Sequence, residues 1–150
     1  MTARPSVRPR HAMKKHTPES LAALRLSIKE HLSSEGYRPS VNSDGEIMFH
    51  FDGRRCYLQT DASDHDYARI IIVNFRPIAG ADDFARVAAA AQDVTACTKV
   101  IKIFVLDGDT WCVAELLLPD PSRLPVVFTR SLAAIRTALR AFEKLLASAG

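Results

Sequence analysis

Three absences limit what this chain of 150 residues can be. No apolar run approaches the roughly 20 residues that a membrane-spanning helix needs, so we expect no membrane span. The basic N-terminus is not followed by the apolar segment of a secretory signal, and the three cysteines contain no Cys-x-x-Cys pair. With 47% apolar and 25% charged residues, the sequence indicates a soluble, cytoplasmic protein with one folded domain.

Motifs that carry catalysis are also missing. The sequence has no G-x-S-x-G, no Walker loop, no G-x-G-x-x-G and no H-E-x-x-H, and its few glycines fall at expected turns and helix ends. His11, His16, His31 and His50 have no spacing typical of a metal site or a catalytic triad. Cys112 falls on an apolar strand face, where burial raises a thiol pKa rather than activating it. We therefore expect a protein that is not an enzyme and has no cofactor.

One loop, residues 61–66, gathers side chains that could bind a metal. Its sequence is DASDHD, with carboxylates at Asp61, Asp64 and Asp66 beside His65. Calcium loops of the EF-hand type also need a glycine in mid-loop and a late glutamate, and this loop has neither. A solvated loop without metal is the stronger interpretation.

Charge divides the chain unevenly. Residues 1–16 hold five cations and no acid, which leaves residues 17–150 at −2 although the whole chain is +3. Because this arm also contains two prolines and few apolar side chains, we expect residues 1–16 to be disordered and residues 17–150 to form one domain. Residues 4–15 could contact nucleic acid through charge alone, but a passive solvated arm is the simpler alternative. A start at Met13, which would remove most of the arm, is a third.

Two Asp-Gly pairs predict β-hairpins. Asp107-Gly108 joins two apolar, β-rich runs between Thr98 and Leu118, and Asp52-Gly53 joins a second pair. In the second hairpin, a two-residue turn places Phe49 opposite Cys56, Ile47 opposite Leu58 and Met48 opposite Tyr57. A β-branched run from Tyr67 to Phe75 predicts a central strand.

Three helices are predicted from apolar spacing and end signals. The first begins near Thr17-Pro18 and ends at Gly36, the second opens at Asp82-Asp83, and the third is capped by Thr129. The predicted order is α-β-β-β-α-β-β-α. Short hairpins make the sheet mainly antiparallel, so we expect an α+β fold with a five-stranded sheet covered by the first and last helices.

The face of this sheet that turns away from the two helices is the candidate binding site. It mixes aromatic, aliphatic and charged residues of the types enriched at interfaces, in contrast to the purely apolar inner face. A cover of this face by the alanine-rich second helix or by a second subunit, with Lys102 and Glu115 as a cross-strand pair, is the alternative. We predict that the partner-binding or dimer face consists of Tyr57, Arg69, Ile71, Val73, Lys102, Phe104, Trp111, Val113 and Glu115. Met48, His50, Arg55 and Gln59 lie on the same predicted face.

The order of elements and a set of short motifs resemble a known bacterial family. Gly36-Tyr37 closes the first helix, Asp44-Gly45 precedes the strand Met48-Phe49-His50-Phe51, Gly53 lies at the turn, and Lys99-Val100-Ile101-Lys102 precedes Glu115. This pattern is similar to the YbjN-like domains, described as sensory transduction regulators. That family shares the fold of the class I type III secretion chaperones. The resemblance covers residues 17–149.

This resemblance implies a bacterial, cytoplasmic, non-enzymatic protein, often a homodimer, that binds segments of other proteins. Chaperones of this fold hold an effector segment extended over their surface by strand addition and apolar pockets. Secretion chaperones are usually distinctly acidic, whereas residues 17–150 carry only −2, which favours the YbjN-like regulator. A secretion chaperone for an effector, and a nucleic-acid-associated regulator that uses the basic arm, are the alternatives.

Overall fold

The computed structural model describes residues 18–64, 66–120 and 123–149, and the predicted arm, residues 1–16, lies outside them. The described residues form three helices and one six-stranded sheet. In chain order the elements are α1 (Pro18–Ser34), β1 (Ser40–Val41), β2 (Ile47–Phe51), β3 (Arg54–Thr60), β4 (Tyr67–Ile72), α2 (Gly80–Cys97), β5 (Ile101–Leu106), β6 (Asp109–Leu117) and α3 (Leu124–Ser148). The strand order is β1-β2-β3-β4-β6-β5, and every neighbouring pair is antiparallel. The α+β class is confirmed.

Both Asp-Gly hairpins are confirmed, and so is the register predicted for the Asp52-Gly53 hairpin. Asp52 and Gly53 have φ of 48° and 75°, and Asp107 and Gly108 have φ of 50° and 74°, the positive values that a primed turn requires. Phe49 pairs with Cys56, Ile47 with Leu58 and Met48 with Tyr57, as predicted.

The strand count and several element boundaries were predicted wrongly. The strand that begins at Tyr67 ends at Ile72 rather than at Phe75. The sheet has six strands rather than five, because Ser40–Val41 pairs with β2 as a strand too short to show any alternation. The third helix begins at Leu124 rather than after Thr129, since Pro125 fits the first turn, where its missing N–H is not needed. The Thr129 hydroxyl donates to the Pro125 carbonyl (3.3 Å) inside the helix. The predicted cap of α1, Thr17, lies outside the described residues.

All three helices share the apolar face of the sheet. The buried residues of α2 (Val87, Ala90, Ala91 and Val94) belong to the same core cluster as those of α1 and α3. Thr95 of α2 also reaches the edge strand β5, where its hydroxyl accepts from the Ile103 N–H (2.9 Å) and donates to the Ile103 carbonyl (3.3 Å). The alternative in which α2 covers the other face of the sheet is therefore wrong.

An aromatic cluster joins α1, α3 and the sheet. The ring of Phe128 on α3 lies 5.5 Å from that of Phe49 on β2 and 6.5 Å from that of Tyr37, between centroids. His31 at the end of α1 meets Phe128 edge to face at 5.9 Å. Phe49 and Phe128 are both fully buried, so this cluster fixes how the helices sit on the sheet.

Phe128→Ala should lower the free energy of unfolding by about 3–5 kcal/mol, because it leaves a cavity where three elements meet. Val126→Ala, two residues away on α3, is the matched control, since Val126 is 64% exposed. Urea denaturation followed by circular dichroism measures both, and equal losses in the two variants would contradict this account of the core.

A carboxylate in the first turn of α2 holds the preceding loop. Asp83 accepts two hydrogen bonds from Arg76 (3.0 and 2.9 Å), one from the Ala79 N–H (2.9 Å) and one from Arg86 (3.0 Å). The Arg76 guanidinium, followed by the Ala79 amide, holds the pKa of Asp83 well below its ordinary value. The buried Thr110 hydroxyl donates to the Arg76 carbonyl (2.7 Å), which ties the same loop to β6.

Because the Asp83 pKa is lowered by folding, this carboxylate stabilises the fold above its ordinary pKa of about 3.9 and stops doing so as the pH falls further. The gap in unfolding free energy between the native chain and Asp83→Asn should be largest at neutral pH and shrink below about pH 4. Denaturation series from pH 7 to pH 2.5 measure this gap. Asp82→Asn changes an exposed neighbour, and an identical gap in that control would contradict the assignment.

Candidate functional site

The face of the sheet opposite the helices, called here the outer face, is not covered by any element among the described residues. Its side chains form three rows across the strands. The strand registers fix the paired positions, while Glu46 precedes β2 and Val73 follows β4. The polar row contains Glu46, Gln59, Arg69 and Glu115. The central row contains Met48, Tyr57, Ile71, Val113 and Lys102. The aromatic row contains His50, Arg55, Val73, Trp111 and Phe104.

The polar row is paired internally. Gln59 donates to Glu46 and accepts from Arg69, while Glu115 accepts from Lys102 and, at 2.9 Å, from the Tyr67 hydroxyl. The Lys102 ammonium, with the Tyr67 hydroxyl, lowers the pKa of Glu115. The predicted pairing of Lys102 with Glu115 is confirmed as an ion pair, diagonal across the strands rather than directly opposite. This row offers few free charges to a partner.

The centre of the outer face is buried. Ile71 is 0% exposed and Val113 2% exposed, although no described helix packs over them. These two residues of the predicted contact face are therefore buried and are not accessible to a partner. Met48 and Tyr57 beside them are half-buried.

The aromatic row keeps accessible apolar surface. Phe104 and Trp111 are directly paired across β5 and β6, and their rings lie 6.1 Å apart at 31°. The Trp111 indole N–H donates to the Asn74 side chain (3.1 Å), and Asn74 itself adopts a φ of 51°. Both residues are partly exposed, as is Val73, which follows the end of β4. A rigid aromatic pair that is held in place and still accessible is the usual core of a protein contact.

Of the nine residues predicted to contact a partner, four are both accessible and apolar: Tyr57, Val73, Phe104 and Trp111. Arg69 is paired within the polar row, Lys102 of the central row forms an ion pair with Glu115, and Ile71 and Val113 are buried. Exposed His50 and Arg55 border the accessible residues.

A groove beside the aromatic row was missed by sequence reasoning. It runs between α2 and the edge strand β5, encloses about 390 Å³, and is lined mainly by apolar side chains. Phe84 of α2 lines this groove and is 50% exposed. Phe104 belongs both to this groove and to the outer face, so the two surfaces are continuous. Only the packing of α2 beside β5 brings these residues together, and no local sequence signal marks it.

The described residues give little support for a cysteine nucleophile or a metal site. Burial raises the pKa values of the Cys56 and Cys112 thiols to about 12, the direction expected for a thiol on the apolar strand face. Within ranges 18–64, 66–120 and 123–149, no cluster of three metal-capable side chains occurs. In the 61–66 loop, Asp61 accepts from the Ser63 amide (2.8 Å) and hydroxyl (2.7 Å); His65 lies outside the described residues.

These burial states predict the order of thiol reactivity. In the folded protein, one thiol, Cys97, should react rapidly with Ellman's reagent, because it is exposed, while Cys56 and Cys112 should react only on unfolding. Cys97→Ser should abolish the fast phase, and a second fast thiol in that variant would contradict the buried placement.

The fold is that of the type III secretion chaperones, a class of small α+β proteins. Among solved structures, SycH of Yersinia pestis, determined in complex with a stable fragment of YscM2, matches with a TM-score of 0.50 and 15% identity over 79% of this chain and 98% of SycH. This likeness confirms the predicted fold.

Sequence comparisons give no further assignment. No protein-family model matches the chain, and no curated protein matches it by sequence. Membership in the YbjN-like family stays a prediction. None of the described helices is both long and apolar enough to cross a membrane.

Proposed function

We propose that this chain is a protein-binding module without catalytic activity, and that it holds its partner on the aromatic row of the outer face. The observation that carries the proposal is the paired, half-exposed Phe104 and Trp111 on a sheet face that no described element covers. Large aromatic side chains in fixed orientations contribute most of the energy in many protein contacts.

Two versions of this function differ in the partner. In the first, the chain is a bacterial YbjN-like regulator that binds a cytoplasmic signalling protein. In the second, it is a secretion chaperone that binds an effector segment, which the likeness to SycH, a chaperone solved with a YscM2 fragment, favours. The weak net charge of residues 17–150, only −2, favours the regulator. In both, the partner presents apolar side chains to Tyr57, Phe104 and Trp111.

A homodimer is part of the same proposal. The groove between α2 and β5 continues into the aromatic row through Phe104, and Phe84 and Leu106 add exposed apolar surface next to it. Two copies joined along this groove would bury those side chains and leave Tyr57, on β3, open to a partner.

The variants Trp111→Ala and Phe104→Ala test the outer face. Each should weaken partner binding or self-association by about 2 kcal/mol or more if it acts as an anchor. Light scattering over a concentration series measures self-association. Co-purification with the tagged protein, quantified by mass spectrometry, identifies a stoichiometric partner, and titration calorimetry then measures its affinity.

Leu26→Ala is the matched control, because Leu26 is 57% exposed on α1, on the opposite side of the molecule. Unchanged association in both aromatic variants would remove the outer face from the proposal. Binding that falls steeply with salt and vanishes on deletion of residues 1–12 would instead support nucleic-acid association through the basic arm.

A further inference from the structure

A second groove lies on the helical side of the molecule, away from the outer face. It runs between the first half of α3 and the segment that links α2 to β5, and it encloses about 700 Å³. Its walls are mostly apolar. The lining residues are Cys97, Thr98, Lys99, Val100, Leu116, Arg123, Val126, Val127, Arg130, Ser131, Ala133, Ala134 and Thr137.

The charge of this groove is opposite to that of the chain around it. Lys99, Arg123 and Arg130 line it, and none of its lining residues is acidic, although residues 17–150 carry more acids than bases. None of the three cations forms an ion pair with a described residue, whereas Arg54, Arg76, Arg86, Lys102 and Arg136 all do. The groove therefore combines an apolar floor with an uncompensated positive rim, which complements an acidic ligand that has an apolar side.

One wall of the groove contains a strained residue. Val100 has a φ of 58°, a conformation that a β-branched side chain rarely adopts, and its side chain is 55% exposed. Its carbonyl accepts the Glu115 N–H (3.3 Å), which holds the residue against β6. An exposed apolar side chain in an unfavourable backbone conformation is a feature that concentrates at binding sites.

The shape of the groove suits a helix. Along α3 the lining residues extend from Val126 to Thr137, about 16 Å at the helical rise of 1.5 Å per residue. Ala133, Ala134 and Thr137 are small enough for another helix to approach closely. With Val126 64% exposed, this side of the groove lies open to solvent, whereas small-molecule sites enclose most of their ligand.

We propose that this groove binds an acidic amphipathic helix of a partner protein, about three turns long. Its apolar side would lie on Val100, Val126 and Ala134, and its carboxylates would meet Lys99, Arg123 and Arg130. The basic arm of this same chain is excluded as the occupant, since its five cations would meet a rim of the same sign. The site is separate from the outer face, so it stands or falls independently of the proposed function.

A displayed library of helix-stabilised 16-residue peptides, selected against the full chain, tests the proposal. The enriched peptides should carry two or more Asp or Glu residues flanking an apolar stripe. Their affinity, measured by fluorescence anisotropy, should fall at least tenfold for Arg130→Glu and for Val126→Asp. Lys144→Glu, a charge reversal further along α3 and outside the groove, should change the affinity less than twofold.

Val100→Gly separates binding from folding. Relief of the positive φ should raise the urea midpoint, while loss of the apolar wall should lower the affinity for the selected peptides severalfold.

Failure to enrich any peptide, enrichment without acidic residues, or equal affinity for Arg130→Glu would overturn the proposal. So would peptides whose binding requires Trp111, which would place them on the outer face. Binding of fluorescent dodecanoate that depends on Arg130, with no peptide enriched, would assign the groove to fatty-acid anions and also overturn it.

Discussion

The structure depends on the two-residue period of its strands and on turns that conserve it. The loops at Asp52-Gly53 and Asp107-Gly108 each contain two residues, so side chains directly opposite one another across the turn stay on the same face. One additional residue in either loop would place Ile103 and Cys112, or Phe49 and Cys56, on opposite faces of the sheet unless a bulge compensated for it. The positive φ values at these turns are the local condition for this arrangement.

From this constraint the division of the molecule follows. Because the apolar positions of β2 to β6 all reach one face, α1, α2 and α3 compete for that face and pack together on it. The other face carries a mixture of polar and apolar side chains, and Ile71 and Val113 at its centre are buried. The shape and the polarity of this face therefore do not depend on a covering helix among the described residues.

Much of the fold could be predicted from local sequence, since Asp-Gly pairs and strict alternation fix hairpins within a few residues. Strand β1 could not, because two residues cannot show a period. The predicted start of α3 is too late because Thr129 resembles a cap, whereas the helix begins at Leu124 with Pro125 in its first turn. The position of α2 depends on Thr95 and Ile103, whose contact cannot be inferred from periodicity.

The candidate site was predictable in composition but not in accessibility. Alternation places Ile71, Lys102 and Trp111 on one face. Only the packed structure shows that Ile71 is buried, that Lys102 is paired with Glu115 and that the Trp111 ring is partly exposed. The second groove, between α3 and the segment that links α2 to β5, has no signature in the sequence. Lys99 and Arg130 are 31 positions apart in the numbering and meet only because α3 folds back over the beginning of β5.

The hydroxyl of Thr95 has a consequence for how this protein can associate. An unpaired strand edge exposes backbone N–H and C=O groups that can pair with any other chain. Because every sequence has the same backbone, such edges promote aggregation. In the described structure one edge is a strand of two residues, and the other, β5, is blocked at its midpoint by Thr95. Growth of the sheet by indiscriminate strand addition is thus disfavoured at both ends. Association is left to side chains, so that the partners of this chain are selected by their own sequence.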